Sequence, residues 1–512
     1  MRELKSGAFP PPLGWIPVGV ALLLVTIASV AAFVPQYGNH QIVGLSGSNP
    51  NGEANNITGP GDASSKTGPG NSVDTNSGSH GDRGGTFGGN GTATSSKGDC
   101  LHGKNAGATD VGVTSTSIHI ATTDVTTGIG RGFLGQAADG MKAAIATTNR
   151  AGGVCGRHIV LDSINDNWDR GPGAQDISGY INSGNVFALV GEPDSEGLDA
   201  ATQSLMIDRA GIPVVGTDGM LKSQYNDPWI WPVAASTVTN MHIVAQYAVR
   251  QLKAARVGIV YDNVYKFGAE GAAAFKSELT RLAPGKLDLG DDCAHGFCGV
   301  SPSVNDYSSP RTDFNNYCSN PQNADGNAKA KCDVVVMLLE PQPMQTWMSG
   351  EENCNCVWFN TMMGGEPLFD EGFADGCGQD CASMVVWTGY KPAIEPFDAE
   401  TPVYTFANAL RSECSSCDTH NEFTEGAYLG TELFITACER VGADLTRAAL
   451  KTELDTDTFD LGLALPLHYG TGLPHLANSS MVAYRDNAAG TFNGWSYLNT
   501  GFVKDPDPGK DL

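Results

Sequence analysis

Beyond residue 110 the chain alternates short apolar runs with amphipathic stretches. Residues 117–123 (SIHIATT) are β-rich and alternate, and a Gly-rich turn follows. Residues 136–149 then place Ala137, Met141, Ala144 and Ile145 on one helical face. Apolar strands are predicted at 158–163, 186–190 and 212–215, with helices at 176–183 and 198–209. Fully apolar strands alternating with helices predict a parallel sheet covered on both faces. The same order restarts at Thr237, with helices at 241–254 and 268–282 and strands at 256–261, 333–340, 357–360 and 384–387. Asp124 and Asp262 each follow the first strand of their half. The pattern predicts two similar doubly wound α/β lobes in place of one long sheet. The most regular helix, 422–441, and another starting near Thr446, whose hydroxyl suits an N-cap, are placed to return to the first lobe. Residues 481–495 alternate loosely, as a terminal strand pair does.

The N-terminal part follows different rules. Arg2 and Lys5 precede an uncharged apolar stretch at 13–34, long enough as a helix to span a bilayer core. The basic residues place the N-terminus inside. Ser29-Val30-Ala31 suits a signal peptidase, so the stretch reads as a retained transmembrane anchor or as a cleaved signal peptide. Both readings put the remainder outside the cytoplasm. Residues 41–109 are mostly Gly, Ser, Asn, Thr and Asp, too polar to offset ordering entropy by burial. They predict a flexible tether. The expected organisation is an anchor or signal at 1–35 and a linker at 36–109. Lobe 1 takes 110–232 and 400–467, and lobe 2 takes 233–399 and 468–512. Crossings between the lobes are expected near Pro232, near 395–401 and near 468–474.

Composition narrows the function. Thirty-one basic against 56 acidic residues give a net charge of −25, which argues against nucleic acid and against broad docking on an anionic membrane. Thirteen cysteines suit an oxidising compartment. Many come in close pairs: Cys293 with Cys298, Cys318 with Cys332, Cys354 with Cys356, Cys377 with Cys381, and Cys414 with Cys417. Small disulfide loops account for this spacing, although Cys354 and Cys356 stand too close to bridge each other readily. Structural zinc from Cys414, Cys417, Cys377, Cys381 and His420 is the rival reading. Cys438, on a helix face, is the expected buried free thiol. The sequence has no G-x-S-x-G, H-E-x-x-H or P-loop, and Gly128-Ile129-Gly130-Arg131-Gly132 lacks the dinucleotide spacing. Glu352, Glu366 and Asp370 read as a solvated acidic face. No catalytic residue, metal or cofactor is assigned.

Five blocks in order make the chain recognisable: SIHIATTDVTTGIGRGF with AAIATTNRAGGVCGRHIVLDSINDN, VFALVGEPDSEG with AGIPVVGTDG, ARVGIVYDNVYKFGAEGAAAF, EGAYLGTELFITACERVGADLTRAALKTEL, and FNGWSYLNTGFV. From about Asp110 to Asp507 the chain resembles the extracellular substrate-binding proteins of branched-chain amino acid type ABC transporters. These are leucine/isoleucine/valine-binding-like, with the type I periplasmic-binding fold. The matching Gly152, Gly153, Gly156 and Arg157 read as structural, with glycines in left-handed turns that end a helix and start a strand. The polar, Cys-containing stretch at 291–331 is longer than the family's connection and reads as an inserted surface excursion.

The resemblance implies a ligand site between the lobes, built from loops at strand ends. Helix N-termini there offer free N–H groups. Ser195 falls where amino-acid binders meet the ligand carboxylate. Gly216 and Asp218 fall where a backbone carbonyl and a hydroxyl usually serve. Phe267 falls where an aromatic ring closes over the ligand, with Tyr265 near enough to supply the hydroxyl that Phe267 lacks. Met362 and Met363 fall near the ammonium-binding acid, and Asp124 starts the first strand-end loop. The implied function is non-catalytic capture of a small polar organic solute (amino acid, amide or related acid) for an ABC permease. The alternatives are a surface sensing or scaffolding module of the same fold, or an exported hydrolase.

Overall fold

The computed structural model describes residues 105–287, 289–319, 332–354, 359–392, 401–476, 479–486 and 494–512. The expected anchor or signal and most of the expected linker lie outside them, as do the 395–400 part of one crossing, Cys356, and the side chain of Cys354. No helix among the described residues is long and apolar enough to cross a membrane.

The first sheet holds β1 (Ser117–Asp124), β2 (His158–Asn165), β3 (Ala188–Val190), β4 (Val214–Val215) and β5 (Ile230–Trp231). All are parallel, in the order β2-β1-β3-β4-β5. Period-2 alternation splits their side chains between two cores. Ile118, Ile120, Ala188, Val190 and Val215 face one, and Ala121, Leu189, Val214 and Ile230 the other. Helix α1 (Ala137–Arg150) covers the first face. Helices α2 (Arg170–Ser183) and α3 (Ser195–Gln203) cover the second. The helix expected at 198–209 breaks at Leu205, whose φ is +58°.

Helix α4 (Thr237–Gln246), extended by a π-turn at Tyr247–Gln251, leads into the second sheet. There β6 (Val257–Asp262), α5 (Lys266–Leu282), β7 (Phe297–Val300), α6 (Ser308–Ser319), β8 (Cys332–Leu338), α7 (Pro341–Cys354), β9 (Phe359–Gly364) and β10 (Val385–Thr388) follow. Strands β10-β9-β8-β6-β7 are parallel. Residues 291–319 are therefore not a surface excursion. Their strand β7 pairs with β6 as the sheet edge, and Phe314 and Cys318 of α6 are buried against it.

The chain then returns to the first lobe. Helices α8 (Pro402–Glu413), α9 (Glu422–Val441) and α10 (Arg447–Thr456) pack into its core. Asn421 caps α9 through the Thr424 N–H (2.8 Å), and Thr446 caps α10 through the Ala449 N–H (3.1 Å). Gly216, with φ +77°, ends β4 where a Cβ would overlap the backbone of Gly430 in α9. This contact seats the helix on the strand ends. A short pair, β11 (Thr458–Phe459) and β12 (Leu467–His468), precedes the last crossing. Strands β13 (Ser480–Asp486), β14 (Trp495–Tyr497) and β15 (Val503–Lys504) complete the second sheet, with β13 antiparallel to β10, β14 and β15. That sheet is mixed, not wholly parallel.

Residues 105–109, expected in the linker, are tied to the first lobe. Arg157, fully buried, donates to the carbonyls of Gly107 (3.0 Å), Ala443 (2.9 Å) and Thr114 (2.8 Å). Gly152, Gly153 and Gly156 take φ of +107°, +73° and +76°.

The sulfurs of Cys293 and Cys298, Cys318 and Cys332, Cys377 and Cys381, and Cys414 and Cys417 lie at bonding distance. Cys438 is free and buried. Asp139 lies beside Cys414 and Cys417, the one group among the described residues with metal-ligand proximity, but those two sulfurs face each other as a pair.

Candidate ligand site between the lobes

The strand ends of both sheets meet in one crevice. On the first-lobe side, Glu192 follows β3 and is fully buried. Its carboxylate accepts from the Thr123 N–H (3.0 and 3.1 Å) and the Thr123 hydroxyl. This ties β3 to β1. Burial raises the Glu192 carboxyl well above its ordinary value. Asp194 caps α3 by accepting from the Glu196 N–H at 3.1 Å. It also faces Asp166, and burial with this second carboxyl raises it further. Gly173 and Gly197 leave room for the pair, since a Cβ on either would overlap Asp194.

Ser195 opens α3 and is fully buried. Its Oγ accepts from the indole N–H of Trp168 at 3.1 Å. Trp168 follows β2, in a turn where Asn167 and Trp168 take φ of +64° and +62°. Its ring stacks on Tyr265 at 4.2 Å and 14° and lies near-parallel to Phe267 at 5.8 Å. Phe133 meets its edge at 5.4 Å. Ser195, Tyr265 and Phe267 therefore do converge, but around Trp168, which fills the space between them.

On the second-lobe side, Asp262 ends β6 and accepts from the N–H groups of Val264 (2.6 Å) and Tyr265 (2.7 Å), which turns the chain into α5. Glu340, just past β8, sits beside it. Burial pushes its carboxyl up to about 9, and the charge of Asp262 adds to the shift. Polar contacts also cross the crevice. The Lys266 N–H donates to Glu196 at 2.8 Å, and the Lys222 N–H to Glu270 at 3.0 Å. Lys266 Nζ reaches Asp199 at 2.6 Å. Burial alone would raise Asp199, but hydrogen bonds from Lys266, Ser223 and Arg170 outweigh it and hold the carboxyl below its ordinary value. These contacts describe lobes closed on one another.

Beside the aromatic stack lies a narrow cavity lined by Gly191, Pro193, Asp218, Ala234, Glu366, Tyr390 and the first residues of α9, including Glu422, Phe423 and Gly426. It has room for about one water-sized body, about 10 Å³. Asp218 is brought to this cavity. Its Oδ1 accepts weakly from the Met220 N–H and the Thr217 hydroxyl (3.4 Å each), and its Oδ2 has no partner. Burial pushes the carboxyl up to about 8.

The remaining expected residues stand elsewhere. Gly216 contacts α9 and does not line the cavity. Asp124 is buried and accepts from the Val125 N–H at 2.9 Å. Met362 is not a cleft residue. Strand β9 runs on to Gly364 between β8 and β10, so Met362 lies in the core on one face and Met363 in the core on the other. Glu366 is not on a solvated face. It follows β9, is 4 % exposed and lines the cavity. Trp168, Glu366, Tyr390 and Glu422 were missed by sequence reasoning. An isolated Trp in the polar turn Asn165-Asp166-Asn167-Trp168 is the signal that marks the first of them.

A family profile described as periplasmic binding protein matches residues 117–488. No curated protein matches the chain. Among solved structures, a fatty acid ABC transporter substrate-binding protein from Thermomonospora curvata superposes with a TM-score of 0.63 at 15 % identity, over 78 % of this chain and 95 % of its own. A branched-chain amino acid transporter substrate-binding protein from Streptococcus pneumoniae, in complex with isoleucine, gives 0.59 at 15 % identity over 76 % and 100 %. A leucine-binding protein from Thermotoga maritima gives 0.59 at 15 % identity over 75 % and 99 %. The chain belongs to the periplasmic binding protein family and has the type I fold of the branched-chain amino acid type ABC transporter substrate-binding proteins.

Proposed function

We propose that the protein is a non-catalytic, extracytoplasmic receptor that closes its two lobes over a small polar organic solute and delivers it to an ABC permease. The observation that carries this reading is the crevice itself. Strand-end residues of both sheets line one cavity, with Asp218 from the first lobe and Glu366 from the second. Contacts such as Glu196 with the Lys266 N–H reach across it. Such contacts exist only when the lobes are closed, so a solute that bridges the lobes favours the closed state by its differential affinity. Relatives of the same fold bind leucine or isoleucine, and one serves fatty acid transport, which supports capture of a small organic molecule without fixing which one.

Export agrees with the apolar stretch at 13–34, whether retained or cleaved, and with oxidised pairs among the cysteines. The Gly/Ser/Asn-rich stretch that follows favours a second reading, a surface sensor of the same fold held away from a membrane. Permease and ATPase genes beside this one would support transport, and a kinase gene would support sensing. The receptor reading is tested by a thermal-shift screen of amino acids, amides, amines, urea and aromatic acids, followed by small-angle scattering. A ligand should raise the melting temperature by mass action and shift the population toward closed lobes. If no small solute does either, the reading fails.

A further inference from the structure

The crevice as it stands leaves a solute no room, and one side chain accounts for much of that. The cavity beside the aromatic stack holds about one water-sized body, about 10 Å³. A receptor for anything larger than water must therefore vacate space when it binds. Trp168 is fully buried between the lobes, yet it belongs to no strand or helix. On the first-lobe side its indole N–H donates to Ser195 Oγ at 3.1 Å, and Phe133 meets its edge at 5.4 Å. On the second-lobe side it stacks on Tyr265 at 4.2 Å and 14°, with Phe267 at 5.8 Å and 28°. A flat ring with its polar atom satisfied thus sits between the lobes as a bound solute would.

The backbone that delivers this ring is not that of an ordinary core residue. Asn167 and Trp168 take consecutive φ of +64° and +62°, a left-handed conformation that is costly with a Cβ and more so for a bulky side chain. The turn lies at the surface, with Asn165, Asn167 and Asp169 exposed on either side of the buried ring. It is held by hydrogen bonds at its ends. The Trp168 N–H donates to Asp166 Oδ1 at 2.9 Å, and the Asp169 N–H to the Asp166 carbonyl at 3.2 Å. Asp169 then caps α2 by accepting from the Gly171 N–H at 3.1 Å. The two strained residues are a hinge at which the ring can leave while β2 and α2 stay in place.

We propose, on the receptor reading, that Trp168 is a built-in occupant of the crevice and that the solute is a planar aromatic molecule that takes the place of its ring. The walls that the indole leaves behind define this class. Tyr265 and Phe267 offer ring faces and Phe133 an edge. Ser195 Oγ offers an acceptor, and the hydrogen of the same hydroxyl is not used by Trp168. A branched aliphatic chain forgoes the stacking. Self-occupancy lowers the apparent affinity for the solute, because only molecules with the ring withdrawn are competent to bind. It also lets the empty protein close on its own side chain.

The test uses the full-length chain, unaltered and as Trp168→Ala, with indole, isoleucine and acetamide as probes. The unaltered protein is labelled with 5-fluorotryptophan, and the Trp168 fluorine signal is identified by its loss in Trp168→Phe. Indole should raise the melting temperature of the unaltered protein and move the Trp168 signal. Trp168→Ala deletes the ring, so indole should bind this variant about tenfold or more tightly, as expected when a competing occupant is removed. Small-angle scattering should show Trp168→Ala more open than the unaltered protein, and indole should restore the compact radius. A hole inside one lobe would fill with indole at constant radius. If the variant does not fold, the fluorine measurement on the unaltered chain decides. A probe that binds and leaves the Trp168 signal unmoved overturns the inference, as does indole that binds both proteins equally or binds the variant without closing it. Isoleucine or acetamide binding in place of indole also overturns it and leaves the receptor reading intact. Silence from all three probes on both proteins counts against both.

Discussion

Trp168 and Ser195 are joined by a hydrogen bond from the indole N–H to Oγ at 3.1 Å, and neither side chain is exposed. The ring comes from the loop after β2 and the hydroxyl from the start of α3. On its other side the ring stacks on Tyr265, which opens α5 of the second lobe. One residue of the first lobe thus occupies its own lobe's helix start and the partner lobe's aromatic wall together. Lobe closure and the availability of Ser195 are consequently linked.

Replacing Trp168 separates these two roles. Trp168→Phe should keep much of the ring packing and release the Ser195 hydroxyl. Trp168→Ala should remove the stack and loosen closure, with a loss of stability of roughly 3–5 kcal/mol for so large a buried side chain. Small-angle scattering of the ligand-free protein checks the difference. We expect a larger radius of gyration for Trp168→Ala and one near the unaltered value for Trp168→Phe. Equal radii in all three would mean that the stack does not hold the lobes.

A different contact seats α9. A Cβ at Gly216 would overlap Gly430, and the reverse holds for Gly430. Gly216→Ala adds a left-handed φ to that overlap. It should cost more than Gly430→Ala, about 3 kcal/mol against roughly 1–3 kcal/mol for overpacking alone. Urea denaturation of both variants, with the slope unchanged, tests the order.

These residues also show how far the sequence could be read. Helix α9 was legible to the residue, because Asn421 caps it, Gly442 ends it, and its apolar positions recur at helical spacing. The strands were legible as runs too apolar to face water on either side. Boundaries failed where tertiary contact overrode local pattern, as at Leu205 and at the π-turn after Gln246. In the site, Ser195, Tyr265 and Phe267 were named through the family resemblance, and they do meet, around Trp168. Glu366 was not, because a carboxylate reads as solvated until the fold buries it. Met362 was misplaced because β9 continues past Asn360 to Gly364, and alternation then turns Met362 into the core.

The cysteine pairs make a redox prediction. Among the described residues four pairs lie at bonding distance, and Cys438 is free and buried, its thiol pushed up by burial and therefore unreactive in the folded state. Protein denatured without reductant should show few free thiols. More than about four would contradict oxidised pairs and an oxidising compartment.

Asp218 makes a pH prediction. Its carboxyl titrates near its ordinary 3.8 when unfolded and at about 8 when folded, with burial as the main cause. The folded state then holds this proton more tightly than the unfolded state does. Its contribution to stability is fully present below about pH 4 and is lost as pH rises to about 8. Glu366 and Glu422 are raised too, so they act in the same direction. The melting temperature of the ligand-free protein should carry a falling component across this window, and Asp218→Asn should flatten part of it. An identical slope in the variant would show that Asp218 does not titrate as described.

His242 provides a second pH check, of the same sign, on a group that gains its partners by folding. It is buried in α4, and its two ring nitrogens face Asp505 Oδ2 at 3.1 Å and Asp511 Oδ2 at 3.2 Å. Burial alone would lower its pKa, but the hydrogen bonds and charge of Asp505, then Asp511 and Glu278, outweigh it and raise it above 6.5. A raised histidine stabilises fully below its unfolded value, and the stabilisation is lost as pH rises through the folded one. Asp511 is shifted the other way. Burial would raise it, but Ser277 and His242 hold it below 3.8, so its share is lost as pH falls through that lower value. Residues 505–511 should therefore be held most firmly at mildly acidic pH. His242→Gln keeps a hydrogen-bonding side chain but removes the charge, and should cost about 2 kcal/mol near pH 6 and much less near pH 9. The measurement is the difference in unfolding free energy between the two proteins across that range. A constant difference would mean that His242 is neutral throughout and that residues 505–511 are held by packing alone.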